Sequence, residues 1–271
     1  MSYIILFPKA NNVVAHTPYP VVGANYNMVN NYPVEPEDTA YIYHAAPPST
    51  LSDSFTKDAL LALSYKVSSL EIAISARKTS VSAPVVSIEH LYILGGTTYG
   101  TLVTLLSASY AWFSNIWQTN AATGKLWTIA EINTITAFGV RSAVAAGATT
   151  VRVNNVYMKI NADIAGEYVS NLSSIGADGI QKDHDFSVLV ESPGAMNLLR
   201  CTSPKIYYKL PSGTEASLDA EVWDETRLLA KMPAATNSAA GKILFKMLCT
   251  LPTGQVVEGN PFFANILSRW V

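Results

Sequence analysis

The chain is short of charge. Only 14% of its 271 residues are Asp, Glu, Lys or Arg, against about a quarter in an average soluble domain. Ser, Thr, Asn, Ala and Tyr fill the deficit, so the expected surface is polar but weakly ionic. Burying such a surface against a neighbour strips few ions of water, which suits broad contacts. The net charge of -2 and the pI near 6.1 leave no basic patch for a phosphate backbone, so nucleic acid is not an expected partner. No block of like charges reads as a tail. Cysteine is scarce as well. Cys201 and Cys249 are the only two, too few for a disulfide framework. Cys249 falls on an alternating apolar segment and reads as a buried filler; a Cys201–Cys249 bridge stays open.

A continuous apolar run is also missing. Residues 91–124 hold no charge, a stretch longer than the roughly 20 residues of a membrane span. Gly95, Gly96, Gly100 and many Ser, Thr and Asn break it into strand-length pieces. "MSYIILFPKA" lacks the basic start and long apolar core of a secretion signal. The chain is therefore expected to be soluble and unprocessed, with no membrane partner.

Catalytic signatures are absent too. The histidines, His16, His44, His90 and His184, show no zinc spacing. There is no Gly-x-Ser-x-Gly elbow, phosphate loop or dinucleotide fingerprint. "GADGIQKDHD" gathers Asp178, Asp183 and Asp185 around His184, but without the spacing of a calcium loop, and it reads as a solvated linker. No catalytic residue, metal or cofactor is expected.

What is there is mostly strand. "SSLEIAISARKTS" alternates, with Leu70, Ile72, Ile74 and Ala76 on one face and Glu71, Ser75 and Arg77 on the other, as in a half-buried antiparallel strand. Val85–Leu94 follows and is ended by Gly95-Gly96, and Gly100–Ser109 reads as the next strand. In "TTVRVNNVYMKI" Val151 and Val153 share a face, then Val156, Met158 and Ile160 do; the slip at Asn154-Asn155 is the mark of a β-bulge. Between these lies a helix signature. Thr128 is a natural N-cap and Glu131 completes a capping box. Ile129, Ile132 and Ile135 form a narrow stripe over 129–136, and Gly139 is placed to end the helix in a left-handed conformation. Trp127 and Phe138 are expected to pin its ends.

The two ends of the chain differ from this middle. Residues 1–45 are rich in Pro and Asn and read as an extended arm, too apolar for a free tail. It lies over its own domain or grips a neighbour; Val13, Val14, Tyr19, Val21, Val22, Tyr26 and Tyr32 are the candidate contacts. After Ile160 the composition loosens, and 163–185 reads as a linker. Strands resume at Phe186–Glu191, Lys205–Leu210, Ala216–Trp223 and Lys242–Thr250, with "LPSG" and "LPTG" as tight turns. Residues 186–271 are expected to form a small immunoglobulin-like β-sandwich. "YAWFSNIW" is the densest aromatic cluster, and Trp112 and Trp117 are candidate glycan contacts, though core or interface packing is the commoner use of such residues.

Asn120, Thr123, Gly124, Trp127, Thr128, Gly139, Val140 and Arg141, in "WFSNIWQTNAATGKLWTIAEINTITAFGVRS", together with "TTYGT" and "VRVNNVYMKI", resemble a domain of tailed-bacteriophage virion proteins. The resemblance implies a concanavalin- or laminin-G-like jelly roll over 46–162, with a turn, a short helix and a Gly-Val-Arg strand. It implies no catalytic residues. The all-β architecture expected is thus an arm, a jelly roll with one short helix, and a smaller sandwich. The role expected is that of a non-enzymatic head decoration or cement protein, assembled into a virion in the host cytoplasm. Its partners would be the major capsid protein or other virion proteins, and it would form a homo-oligomer, plausibly a trimer. The alternative is a neck, tail or receptor-binding component whose jelly roll binds host-surface glycan.

Overall fold

The computed structural model describes residues 2–20, 23–30, 32, 38–45, 49–60, 65–79, 86–105, 108–144, 150–164, 168–170, 180–181, 186–192, 198–199, 201–236, 240–251 and 254–267. It divides into two compact units, residues 6–59 with 67–161, and residues 1–5, 60–66 and 162–271. Among the described residues no helix is long and apolar enough to cross a membrane, and residues 91–124 fall mainly in strands.

The first eleven strands are β1 (Ser2–Leu6), β2 (Ala10–Val13), β3 (Thr17–Tyr19), β4 (Tyr41–Ala45), β5 (Ser49–Thr56), β6 (Tyr65–Lys78), β7 (Val86–Leu94), β8 (Thr97–Leu105), β9 (Ala111–Trp117), β10 (Ile135–Val144) and β11 (Thr150–Ile164); the helices are α1 (Asn25–Met28) and α2 (Ile129–Thr134). One sheet, here the front sheet, runs β3-β4-β11-β6-β9, with β1 also paired to β11; the back sheet runs β2-β5-β10-β7-β8. The pairings nest: β7 with β8, β6 with β9, β5 with β10, β4 with β11. Strands β4–β11 thus form one long hairpin, rolled so that successive pairs fall in alternate sheets, which is a jelly roll. Its tip is Gly95-Gly96, both with positive φ (58° and 79°), the two-residue turn whose twist matches that of the strands it joins.

Directly opposed residues of antiparallel strands share a face. Register therefore places Phe55, Phe138, Val140, Ile88 and Tyr92 on the inner face of the back sheet. Ile42, Leu70, Ile72, Ile74, Val151 and Val153 are among the fully buried side chains of the front sheet. Each such side chain contributes about 1.5–3 kcal/mol on leaving water. The slip at Asn154-Asn155 is present: burial passes from Val151 and Val153 to Val156, Met158 and Ile160.

Residues 10–13 and 17–19 form strands, and one expectation, about the helix, is corrected. β2 pairs with β5 and β3 with β4, so these residues add one edge strand to each sheet. Pro18 suits β3 to an edge, where a missing donor costs no ladder bond. The helix begins as expected, with Thr128 and Glu131 completing a capping box, but it ends at Thr134 on an extended Ile135. Gly139 plays no part in that ending. It sits inside β10, where a Cβ would stand 2.1 Å from the Asp53 carbonyl oxygen, so glycine here permits close approach of two backbones.

The second unit holds β12 (Tyr168–Ser170), β13 (Ile180–Gln181), β14 (Phe186–Glu191), β15 (Thr202–Lys209), β16 (Glu215–Val222), β17 (Arg227–Met232), β18 (Gly241–Thr250), β19 (Val256–Glu258) and β20 (Phe262–Leu267). The order is β12-β14-β17-β16-β15-β18-β20-β13, with β19 on β18. Strand β16 changes partner along its length: Glu215–Asp219 pair with β15, Ala220–Val222 with β17. The trios β14-β17-β16 and β15-β18-β20 reproduce the two sheets of an immunoglobulin-like sandwich. Phe186, Val188, Leu228, Met232, Ile206, Ile243, Phe245, Met247 and Cys249 fill its core, with Cys201 packed against it; both cysteines are free thiols. Most of the expected linker 163–185, including Asp178, Asp183, His184 and Asp185, lies outside the described residues.

Candidate functional site

Alternation on the front sheet sends one set of side chains outward. Tyr41 and Tyr43 leave β4 on the side opposite Ile42 and His44, and Tyr41 is itself covered there. Register aligns Tyr19 with Tyr41 and Thr17 with Tyr43, and Arg152 with Tyr43. The Tyr19 and Tyr41 rings stack with centroids 4.8 Å apart, and the Arg152 guanidinium lies 4.6 Å above the Tyr41 ring, a cation–π placement. At the other edge Trp112 pairs across from Ser75. The residue is 42% exposed, and its ring packs against Tyr157 at 5.4 Å and, edge-on, against Tyr32 at 5.8 Å. From β3 to β9 this face spans four strand spacings, about 19 Å.

Asp38 lies between the two aromatic groups. Its Oδ1 accepts from Arg152 Nη1 at 3.0 Å and from the Tyr110 hydroxyl at 3.0 Å, and its Oδ2 from Arg77 Nη2. Arg77 also donates to the Ala108 carbonyl at 3.1 Å and lies 5.1 Å over the Tyr110 ring. Partial burial pushes the Asp38 carboxyl up, but the hydrogen bonds from Arg77, Arg152 and Tyr110 outweigh it and hold the group below its ordinary value. Burial, then the nearby Asp38 carboxylate, pushes the Tyr110 hydroxyl well up, so it stays a donor.

The expected contact residues separate under this geometry. Trp112, Tyr32 and Tyr19 belong to the outer face. Trp117 does not: alternation turns it the other way, edge-on against the buried Tyr92 at 5.1 Å, and its carbonyl accepts from Trp127 Nε1. It is a packing residue and no surface for a ligand. Val13 and Val14 are about half exposed at 46% and 51%, Val13 on the edge strand β2. Tyr26 is half-buried and its amide donates to Asn11 Oδ1. Val21 and Val22 lie outside the described residues.

A second polar group lies inside the sandwich. His16 Nδ1 is 3.0 Å from Asp53 Oδ1, His16 Nε2 is 2.6 Å from Ser142 Oγ, His44 Nδ1 is 2.8 Å from the same Oγ, and His44 Nε2 is 2.8 Å from Ser49 Oγ. An ionised carboxylate can only accept, so His16 donates to Asp53 from Nδ1. The Ser142 hydroxyl bonds both rings, and the Ser49 hydroxyl bonds His44. Asp53 also accepts from the Ala15 and His16 amides and from Asn25 Nδ2. Its burial pushes the carboxyl up, but the His16 and Asn25 side chains and the Ala15 amide prevail and hold it low. Burial, then the neighbouring His16, pushes His44 down. Asp, His and Ser stand in the order of a hydrolase triad, yet Ser142 is fully buried and its hydroxyl is held by two imidazoles. This network ties the sheets together and offers no nucleophile to solvent. Among the described residues no group of three or more His, Cys, Asp or Glu side chains could hold a metal ion.

No family model matches the sequence, and no curated protein matches it as a relative. Solved structures similar to the chain include a family 16 carbohydrate-binding module-2, with TM-score 0.30 and 9% identity over 45% of this chain and 77% of that one. A β-1,2-glucanase from Parabacteroides distasonis gives TM-score 0.29 and 10% identity over 86% of this chain and 33% of that one. The glycoside hydrolase domain of Endo-D from Streptococcus pneumoniae R6 gives TM-score 0.27 and 10% identity over 83% and 33%. Against the last two the chain spans about a third of the partner's length. Nothing in these likenesses points to a phage particle. Among the described residues, the outer side of the front sheet is an exposed surface that joins aromatic faces to fixed hydrogen-bonding groups.

Proposed function

We propose that the jelly roll is a non-catalytic glycan-binding module and that its site is the outer face of the front sheet. One observation carries this reading: the exposed Trp112 ring shares a face with the Asp38–Arg77–Arg152–Tyr110 cluster. A sugar ring offers an apolar face and a rim of hydroxyls. A ligand site of mostly apolar surface with a few fixed polar groups meets both needs, and Trp supplies large rigid area at low entropic cost. The test is a glycan array followed by calorimetry on the best binder. Trp112→Ala is expected to weaken binding at least about tenfold, the worth of a single buried aromatic contact, with an unchanged melting temperature. An array without a binder, or a variant that binds as well as the parent, overturns the reading.

A structural role in a phage particle is the second reading. It draws on the low charge of the chain and on its resemblance in 120–141, where the Asn120 turn, the capped helix and β10 follow one another. In that reading Val13, Val14 and Tyr19 are the exposed apolar residues that the described part of the segment offers a neighbour. Cryo-electron microscopy of an intact particle tests it by locating the chain on the head or tail, or by finding none.

A further inference from the structure

We propose that Arg77, Arg152 and Tyr110 form a carboxylate-binding subsite that the chain fills with its own Asp38, and that the glycans it takes carry uronic or similar acidic groups. This rests on the glycan-binding reading above and names the substrate class.

The donors come from the sheet and its margin: Arg77 from β6, Arg152 from β11, and Tyr110 from the residue before β9. The acceptor comes from elsewhere, the segment between α1 and β4 that also lays Tyr32 against Trp112 and Tyr157. The face thus provides two cations and a hydroxyl donor, and a single carboxylate from outside the sheet meets all three. Both guanidinium planes are set independently of Asp38. Arg77 is held by the Ala108 carbonyl and the Tyr110 ring, Arg152 by the Tyr41 ring. Fixed planar forks of this kind recognise carboxylates and lose little entropy on doing so. Their donors are not exhausted: Nε of Arg77 and Nε of Arg152 are buried without a partner among the described residues, as is the Ser75 hydroxyl opposite Trp112. The site is also open to solvent. The Asp38 side chain is 47% exposed, and those of Arg77 and Arg152 are 20% and 26% exposed. A ligand carboxylate can therefore reach the arginines by taking the place of the Asp38 group. With Asp38 in position the cluster carries one net positive charge; without it, two.

The experiment compares a uronic-acid trisaccharide with its carboxyl-reduced neutral counterpart, by calorimetry, on the full chain. In the unaltered chain Asp38 competes, and the acid is expected to bind no more than a few-fold better than the neutral sugar. In Asp38→Asn, which keeps the shape and removes the charge, the ratio of acid to neutral affinity is expected to rise about tenfold, the scale of one charge-assisted hydrogen bond gained. Adding Arg152→Ala is expected to abolish the rise, and salt to shrink it. An unchanged ratio in Asp38→Asn overturns the proposal, as does tighter binding of the neutral sugar than of the acid by the unaltered chain. If the neutral sugar binds in a Trp112-dependent way while the ratio stays flat, the subsite fails and the platform stands. If the ratio rises but Trp112→Ala changes nothing, the subsite stands and the platform fails. Binding of neither sugar to any variant removes both.

Discussion

His16 and His44 meet edge-on, ring centroids 5.9 Å apart, and share one hydroxyl, that of Ser142. Two buried imidazoles hydrogen-bonded to one serine make that serine a keystone. Ser142→Ala is expected to leave His16 Nε2 and His44 Nδ1 without partners inside the sandwich. An orphaned buried polar group costs about 1–3 kcal/mol, so a loss of about 2–4 kcal/mol in denaturant unfolding is expected, with any glycan affinity unchanged. A loss below about 0.5 kcal/mol, the size of a neutral surface change, would count against the network.

The same network gives the jelly roll an acid-side weakness. His44 is held below its ordinary value, by burial first and by His16 second, and burial holds His90 down too. A group with a depressed folded pKa binds its proton more readily unfolded. Its cost is absent above the unfolded value, near 6.5 for histidine, and grows as the pH falls below it. Melting temperature is therefore expected to be flat from about pH 8 to 7 and to decline towards pH 5. His44→Gln should melt lower at pH 7.5 but decline less steeply. Asp53, also held low, contributes stability above the ordinary carboxylate range and loses it only as the pH falls through its folded value.

Gly139→Ala tests the close approach of β10 and β5. The added methyl carbon would meet the Asp53 carbonyl oxygen and Ser54 Cα at 2.1 and 2.8 Å, both backbone atoms that cannot swing aside. A loss above about 4 kcal/mol, or failure to fold, is expected. Gly124→Ala is the control. There φ is +71° and nothing lies within 4 Å, so only the left-handed strain of about 1–2 kcal/mol applies.

Thr128→Ala removes one half of the capping box. The Thr128 hydroxyl accepts from the Glu131 amide at 3.2 Å, and Glu131 Oε2 accepts from the Thr128 amide at 2.9 Å. The expected cost is about 1 kcal/mol, read as a lower denaturation midpoint at an unchanged slope. Lost ligand binding without lost stability would instead give this helix a functional role.

Where a feature depends on neighbours in sequence, it was legible. The alternation of β6, the slip at Asn154-Asn155, the Gly95-Gly96 tip and the Thr128–Glu131 box are all local. Strands of three or four residues such as β2 and β3 are not, because alternation needs more positions to declare itself, and the surrounding prolines read as an arm. Gly139 was misread because a packing glycine and a helix-ending glycine leave the same letter. The sites are less legible still. His16 and Ser142 are 126 positions apart, and Asp38 and Arg152 are 114 apart. Only the rolled hairpin brings them together. Trp112 could be singled out as an exposed aromatic; the arginines beside it carried no signal of their own.

The nesting of strand pairs also sets an order of assembly. Closing a loop costs more entropy the longer it is, so of the four nested pairs β7–β8 around Gly95-Gly96 is the cheapest and β4 with β11 the dearest. Each pair that forms shortens the loop the next must close, and the roll zips from its tip towards its ends. His16, His44, Asp53 and Ser142 lie on or beside the outermost pairs, so their hydrogen bonds form when the zipper is nearly shut. They act as its clasp. Pulled from its termini, the jelly roll should open there first and keep the Gly95-Gly96 hairpin to the last.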